Sequence, residues 1–199
     1  MKSQFLKSLQ YLELQAKEKP LRWKDVLEAL GDRSHLILIL FLTLPFLQPV
    51  PLPGLSTLFA GAIIFLVFLN FFGKPVKLPQ KWSQKLISQG LLGNLLKAAE
   101  KILKFLERFL KARWPIFFQS IFFKGFNVLV ICIQALLLAL PWPVPFSNKI
   151  PAFTIAVLVI GELEEDGLLV VTSYLLSILS IAFFAGLGLT LKSGWNYIG

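Results

Sequence analysis

Pro49-Val50-Pro51 interrupts a largely apolar, uncharged run that extends from residue 36 to residue 72. Proline has no backbone N–H and its ring clashes with the preceding turn, so two prolines this close forbid a continuous helix. In lipid a broken backbone persists only where protein or a polar cavity surrounds it. The tripeptide returns as Pro143-Val144-Pro145 inside a second apolar region. Two breaks in matching surroundings constrain the fold more than any other feature, and they form the first candidate site.

The surroundings match in register. Shifted by 94 residues, 31–73 aligns on 125–167 without a gap, with twelve of 43 pairs identical. The informative pairs are Gly31 with Gly125, the two Pro-Val-Pro motifs, Phe59 with Phe153 and Gly73 with Gly167. Gly54 falls on Asn148, and both residue types tolerate the left-handed turn that reverses a chain. This reads as an internal duplication. Leu36 to Leu47 makes an arm of about 18 Å and Leu55 to Phe72 one of about 27 Å, both short of a hydrocarbon core of about 30 Å. Each repeat is therefore expected to be a helical hairpin that turns inside the membrane, at Pro49–Gly54 and Pro143–Asn148, with Ser56 as N-cap of the first returning arm.

Composition supports that setting. Hydrophobic residues make up 56% of the 199, and mean hydropathy is +0.71, beyond the range of a soluble domain of this size. The net charge is +9, and eighteen of twenty basic residues lie in 1–34 and 74–124. Basic residues collect on cytoplasmic segments, so both stretches are placed on the cytoplasmic side of the membrane. Nucleic acid is set aside as a partner for want of a reading motif. Cys132 is the only cysteine, which excludes an intrachain disulfide and a cysteine metal cluster.

The expected fold is an all-α integral membrane protein in one domain. Residues 1–34 form interfacial amphipathic helices, 35–73 the first hairpin, 74–124 a basic connector, 125–167 the second hairpin and 168–190 one full-length transmembrane helix. The connector holds an amphipathic helix over 95–113, with Lys97, Lys101, Lys104, Arg108 and Lys111 toward anionic lipid headgroups. Whether 114–123 crosses the membrane decides whether the hairpins enter from one side or from opposite sides; the reading leans to an inverted pair with a shared midplane site. Ser173, Ser177 and Ser180 share one face of the last helix, suited to close packing within the chain or to a homodimer.

Two groups of residues are candidates for chemistry. Around the turns stand Gln48, Pro49, Pro51, Gly54, Ser56, Thr57, Trp142, Pro143, Pro145, Ser147, Asn148 and Lys149. They either hold a substrate at helix N-termini inside the membrane or only satisfy the broken backbone. Ahead of the last helix lie Glu162, Glu164, Glu165 and Asp166. Crowded carboxylates raise each other's pKa, which suits proton or cation handling, and an acidic headgroup-level cap is the plainer account. His35 is the only histidine, at a membrane entrance. No nucleophile with a base, no phosphate loop and no metal motif is present, so no cofactor is expected and an enzyme is disfavoured.

These motifs carry a family resemblance. Pro49-Val50-Pro51-Leu52-Pro53-Gly54-Leu55-Ser56, the later Pro141-Trp142-Pro143-Val144-Pro145 with Asn148 and Pro151-Ala152, and Glu165-Asp166-Gly167 resemble the ExoD family of bacterial inner-membrane proteins, from about Asp25 to about Phe184. One departure is Glu165, which stands where the family's Glu-Arg-Asp-Gly motif has arginine. The resemblance implies a role in exopolysaccharide synthesis or export, with a link to alkaline sensitivity, and no catalytic residues. Two functions follow: a small transporter with its site at the paired breaks, or an assembly factor that touches polysaccharide-synthesis proteins through the basic helix.

Overall fold

The computed structural model describes residues 14, 22, 25, 27, 31–47, 54–76, 114, 118, 120–140 and 147–198, the last eight by backbone alone. Among these residues there are five α-helices: α1 (Ser34–Leu47), α2 (Leu55–Phe71), α3 (Ile121–Ala139), α4 (Lys149–Leu163) and α5 (Gly167–Ile198). A 3-10 turn, Gly31–Arg33, leads into α1.

The first four helices close into a ring in which each packs on its chain neighbours and α4 returns to α1. Their directions follow from contacts near their ends. At one end, called the base, Arg33 Nη1 donates to the carbonyl of Leu163 at 2.9 Å and His35 Nε2 lies 2.8 Å from the carbonyl of Lys74. At the other end the Thr57 hydroxyl donates to the carbonyl of Ala139 at 3.3 Å. The bundle therefore runs up, down, up, down. The starts of α1 and α3 meet the ends of α2 and α4 at the base, and the chain passes from α1 to α2 and from α3 to α4 at the far end.

This arrangement corrects the expectation of an inverted pair. Hairpins entering from opposite sides would have their open ends on opposite faces, whereas here Arg33, Lys74, Lys124 and Glu162 all stand at the base. A second correction concerns α3. The sequence places the start of the second unit at 125, with 168–190 as the one full-length span. Instead α3 begins at Ile121, and its 19 residues are long and apolar enough to cross a membrane, as is Gly167–Thr190. Lys124 stands in its first turn, exposed and lining a cavity at the base of the ring.

The core is aliphatic. Ile37 and Ile39 of α1, Ile63 and Val67 of α2, Ile131 and Leu138 of α3, and Ile155 and Leu158 of α4 are buried against one another. The outer surface is also apolar: Leu58, Phe65, Phe122, Leu129, Phe153 and Ile178 are exposed. An apolar exterior over an apolar core is what lipid, rather than water, tolerates. Three buried hydroxyls donate within their own helices, Thr43 to Leu40, Thr154 to Ile150 and Ser173 to Val170, whereas the buried Ser180 Oγ has no partner among the described residues.

The last helix leans on α4. A Cβ on Gly161 would lie 3.1 Å from the backbone nitrogen of Val170, so the two helices touch at backbone distance there. The serine face of α5 turns inward: Ser173, Ser177 and Ser180 are buried, and Gln134 Nε2 donates to Ser177 Oγ at 2.8 Å. That face belongs to packing within one chain, not to a seam between copies.

A leucine at Gly161 should lower thermal stability in detergent by about 1–3 kcal/mol, the usual cost of overpacking a filled interface. Gly186, with open space around its Cβ position, should accept leucine without loss. Equal melting temperatures for the two variants would sink the close-contact account.

Candidate functional site

The residues that flank the proline motifs and the acidic cluster lie at opposite ends of the bundle. Gln48, Pro49, Pro51, Trp142, Pro143 and Pro145 lie outside the described residues, as does the basic helix 95–113. The flanking residues are placed. Gly54 adopts φ +82°, a left-handed conformation, immediately before α2. It occupies the N-cap position and no side chain caps the helix, so Ser56, which is buried inside the first turn, is not the cap. Asn148 precedes α4 with φ −72° and ψ −22°, so the left-handed turn expected from its alignment on Gly54 is not made. Its Oδ1 is buried without a hydrogen-bond partner among the described residues. Lys149 is the first residue of α4. The Thr57 bond to Ala139 brings the start of α2 beside the end of α3.

A concavity lies at the base. A cavity of about 410 Å³ opens between the helices, lined among others by Arg33, Asn70, Lys124, Glu162 and Glu165. Each element contributes for a local reason. The 3-10 turn ends at Arg33, which reaches the last carbonyl of α4 and sets its Nη2 3.3 Å from Glu165 Oε1. Carbonyls at a helix C-terminus lack intrahelical donors and attract cations. Glu165 itself sits at φ +56°, in the tight reversal between α4 and α5. Asp166 is buried, and its Oδ1 accepts the N–H of Leu168 at 3.0 Å, so it caps α5 rather than facing the cavity.

Glu162 lies on the cavity wall one turn below Glu165. Asn127 Nδ2 donates to its Oε1 at 2.6 Å, and the Asn127 carbonyl accepts from the Tyr174 hydroxyl at 2.5 Å. This chain joins α4, α3 and α5. Burial pushes the Glu162 carboxyl up to about 7, against the opposing pull of the Asn127 bond and of the Lys124 ammonium. A carboxyl poised there can hold or release a proton near neutral pH. Among the described residues no group of three metal-ligating side chains is present.

Sequence reading singled out Glu162 and Glu165 and missed the residues that act on them. Arg33 and Lys124 were counted only as topology, and Asn70, Asn127 and Tyr174 not at all. The available signal was an amide side chain in an apolar helix, Asn70 in α2 and Asn127 in α3, since a buried polar side chain needs a partner.

A family model described as Exopolysaccharide synthesis, ExoD, matches residues 5–186. Protein ExoD of Rhizobium meliloti is 31% identical over 167 residues, covering 83% of this chain and 69% of the relative. An uncharacterized protein of Synechocystis is 32% identical over 157 residues, 78% of this chain and 73% of the relative. No solved structure matches the chain.

The raised Glu162 carboxyl gives stability a pH dependence of definite sign. The folded carboxyl keeps its proton to about pH 7, while an unfolded glutamate releases its own near 4.5. Its contribution is complete below 4.5 and is lost as pH rises through 7. Melting temperature in detergent should fall across that window, and Glu162→Gln should flatten the fall. An unchanged slope in the variant would show that another group titrates.

Proposed function

The chain belongs to the ExoD family of exopolysaccharide-synthesis proteins, and from that premise we propose that it is a small carrier in the inner membrane of a bacterium, serving polysaccharide synthesis or export. The observation that carries this reading is a charged cavity held within helices whose outer surfaces are apolar. A cavity of this size with few convergent polar groups is the usual form of a small-molecule site.

The solute path is read as running from the base cavity toward the paired breaks, which Ser56, Thr57, Ser147 and Asn148 flank along the chain. Two facts favour reading the helix pairs as a duplicated unit. The 94-residue shift carries Leu55, first in α2, onto Lys149, first in α4. Exchanging α1 with α3 and α2 with α4 also maps the packing of the ring onto itself. The repeats then share one orientation, with hairpins open at the base. Arg33, Lys74 and Lys124 stand at that base, so the base is assigned to the cytoplasm. At about 21, 26 and 22 Å, α1, α2 and α4 stop short of a full crossing, which leaves both turns within the membrane as re-entrant tips. The 32 residues of α5 pass beyond them.

Purified protein in liposomes should take up labelled sugars, sugar acids or small ions in a saturable manner. Pro51→Ala, Pro145→Ala and Asn148→Ala should each slow uptake about tenfold. If no solute or ion moves and these variants support normal polysaccharide production in cells, the carrier reading fails. An assembly role would then predict that crosslinking in cells recovers polysaccharide-synthesis proteins.

A further inference from the structure

The charges around the base cavity do not balance, and the imbalance identifies a ligand class. Arg33 and Glu165 neutralise each other at 3.3 Å, and Arg33 also donates to the Leu163 carbonyl. Lys124 lines the same cavity, yet its ammonium has neither a hydrogen bond nor an ion pair among the described residues. Glu162 uses one carboxylate oxygen for Asn127 and makes no second hydrogen bond among those residues. With a proton on Glu162, the four charges that the described residues bring to the cavity reduce to the single positive charge of Lys124. Without that proton they sum to zero.

We propose that the base cavity binds a monosaccharide-sized monocarboxylate together with one proton, the carboxylate facing Lys124 and the proton residing on Glu162. The proposal rests on the carrier reading and names its substrate class. One cation without a partner among the described residues matches one negative charge, and a dianion would carry one charge more than the cavity offers. The volume of about 410 Å³ holds a single pyranose ring, and the Asn70 amide on the wall offers a donor and an acceptor to ring hydroxyls. Proton and anion favour each other because a protonated Glu162 puts no second negative charge beside the bound carboxylate.

The other groups around Glu162 are accounted for. Arg33 and Glu165 are paired, and the Tyr174 hydroxyl is held by Asn127. His35 faces the Lys74 carbonyl rather than the cavity. Glu164 and Asp166 lie in the turn beyond α4, and Asp166 caps α5. Glu162 is thus the group whose charge sets that of the cavity, and its raised pKa supplies the proton near neutrality.

The test uses the full chain in lipid nanodiscs and calorimetric titration with D-glucuronate, with D-glucose and inorganic phosphate as comparison probes. D-Glucuronate should bind about tenfold more weakly at pH 8 than at pH 6, following the fraction of protein with Glu162 protonated. Lys124→Gln should lose at least tenfold in affinity at pH 6. Glu162→Gln should bind equally at both pH values. Should either variant fail to fold, the wild type still decides: titration at pH 8 in buffers of different ionisation enthalpy should report one proton taken up per anion. Binding without proton uptake, glucose binding as tightly as glucuronate, or phosphate binding more tightly than glucuronate would overturn the proposal. So would a Glu162→Gln variant that keeps the wild-type pH dependence. Uptake assays separate this from the carrier reading. Proton-linked binding without transport upholds the site and removes the carrier, whereas transport of neutral solutes without glucuronate binding does the reverse.

Discussion

The Arg33 guanidinium holds the base of the bundle together. It reaches from the turn before α1 to the last carbonyl of α4 and to Glu165, joining residues more than 125 positions apart. A helix that ends inside or beside lipid cannot leave its final carbonyls to water, so a donor must come from the protein. Arginine suits the task because its planar fork serves a carbonyl and a carboxylate at once. The consequence is topological. With the start of α1 fastened to the end of α4, the ring closes and both helix pairs must open toward the same side. Glu165 stands where the family motif has arginine, and the positive partner here comes from the first helix pair instead.

Closing the ring also decides where polar groups can live. The exterior is given over to exposed leucine, isoleucine and phenylalanine, and the middle to interdigitated aliphatic side chains. Thr43, Thr154 and Ser173 turn their hydroxyls back onto their own helices. What remains for charge is the base, where helix ends supply unsatisfied carbonyls and the chain enters from a basic segment. The cavity is thus a product of the packing: four helices cannot fill the space beneath their ends when the side chains there are arginine, lysine and glutamate, which repel or need solvent.

Much of the architecture could be read from the residues. The proline and glycine punctuation placed α2 within one residue of its observed bounds, and the apolar stretch after Gly167 marked α5. The start of α3 was not legible, since Lys124 and Gly125 look like a terminus unless the lysine is known to face a cavity. Nor was the relative direction of the two pairs, which depends on a contact between Arg33 and Leu163 that no local pattern encodes. For the site, Glu162 stood out as a carboxylate next to an apolar arm. Its partners were hidden because a single asparagine or tyrosine in a membrane helix gives no spacing to match. The emphasis on the prolines came from the strength of their signal along the chain, whereas the cavity is assembled from four separate elements.

The contact at Gly161 has a mechanical meaning. Backbone touching backbone leaves α4 and α5 no room to slide, while Asn127, Gln134, Tyr174 and Ser177 lash α3 to the same block. Against this stiff group of three helices, α1 and α2 lie on aliphatic side chains, fastened by Arg33 at one end and by the Thr57 hydroxyl at the other. The two groups meet along α1–α4 and α2–α3, where their side chains build one common core. The cavity lies at the base of that seam, with Leu36, Val67 and Asn70 on one wall and Lys124, Val128 and Glu162 on the other. Each helix pair thus supplies one wall of the cavity, and the core above it fixes how far apart the walls stand.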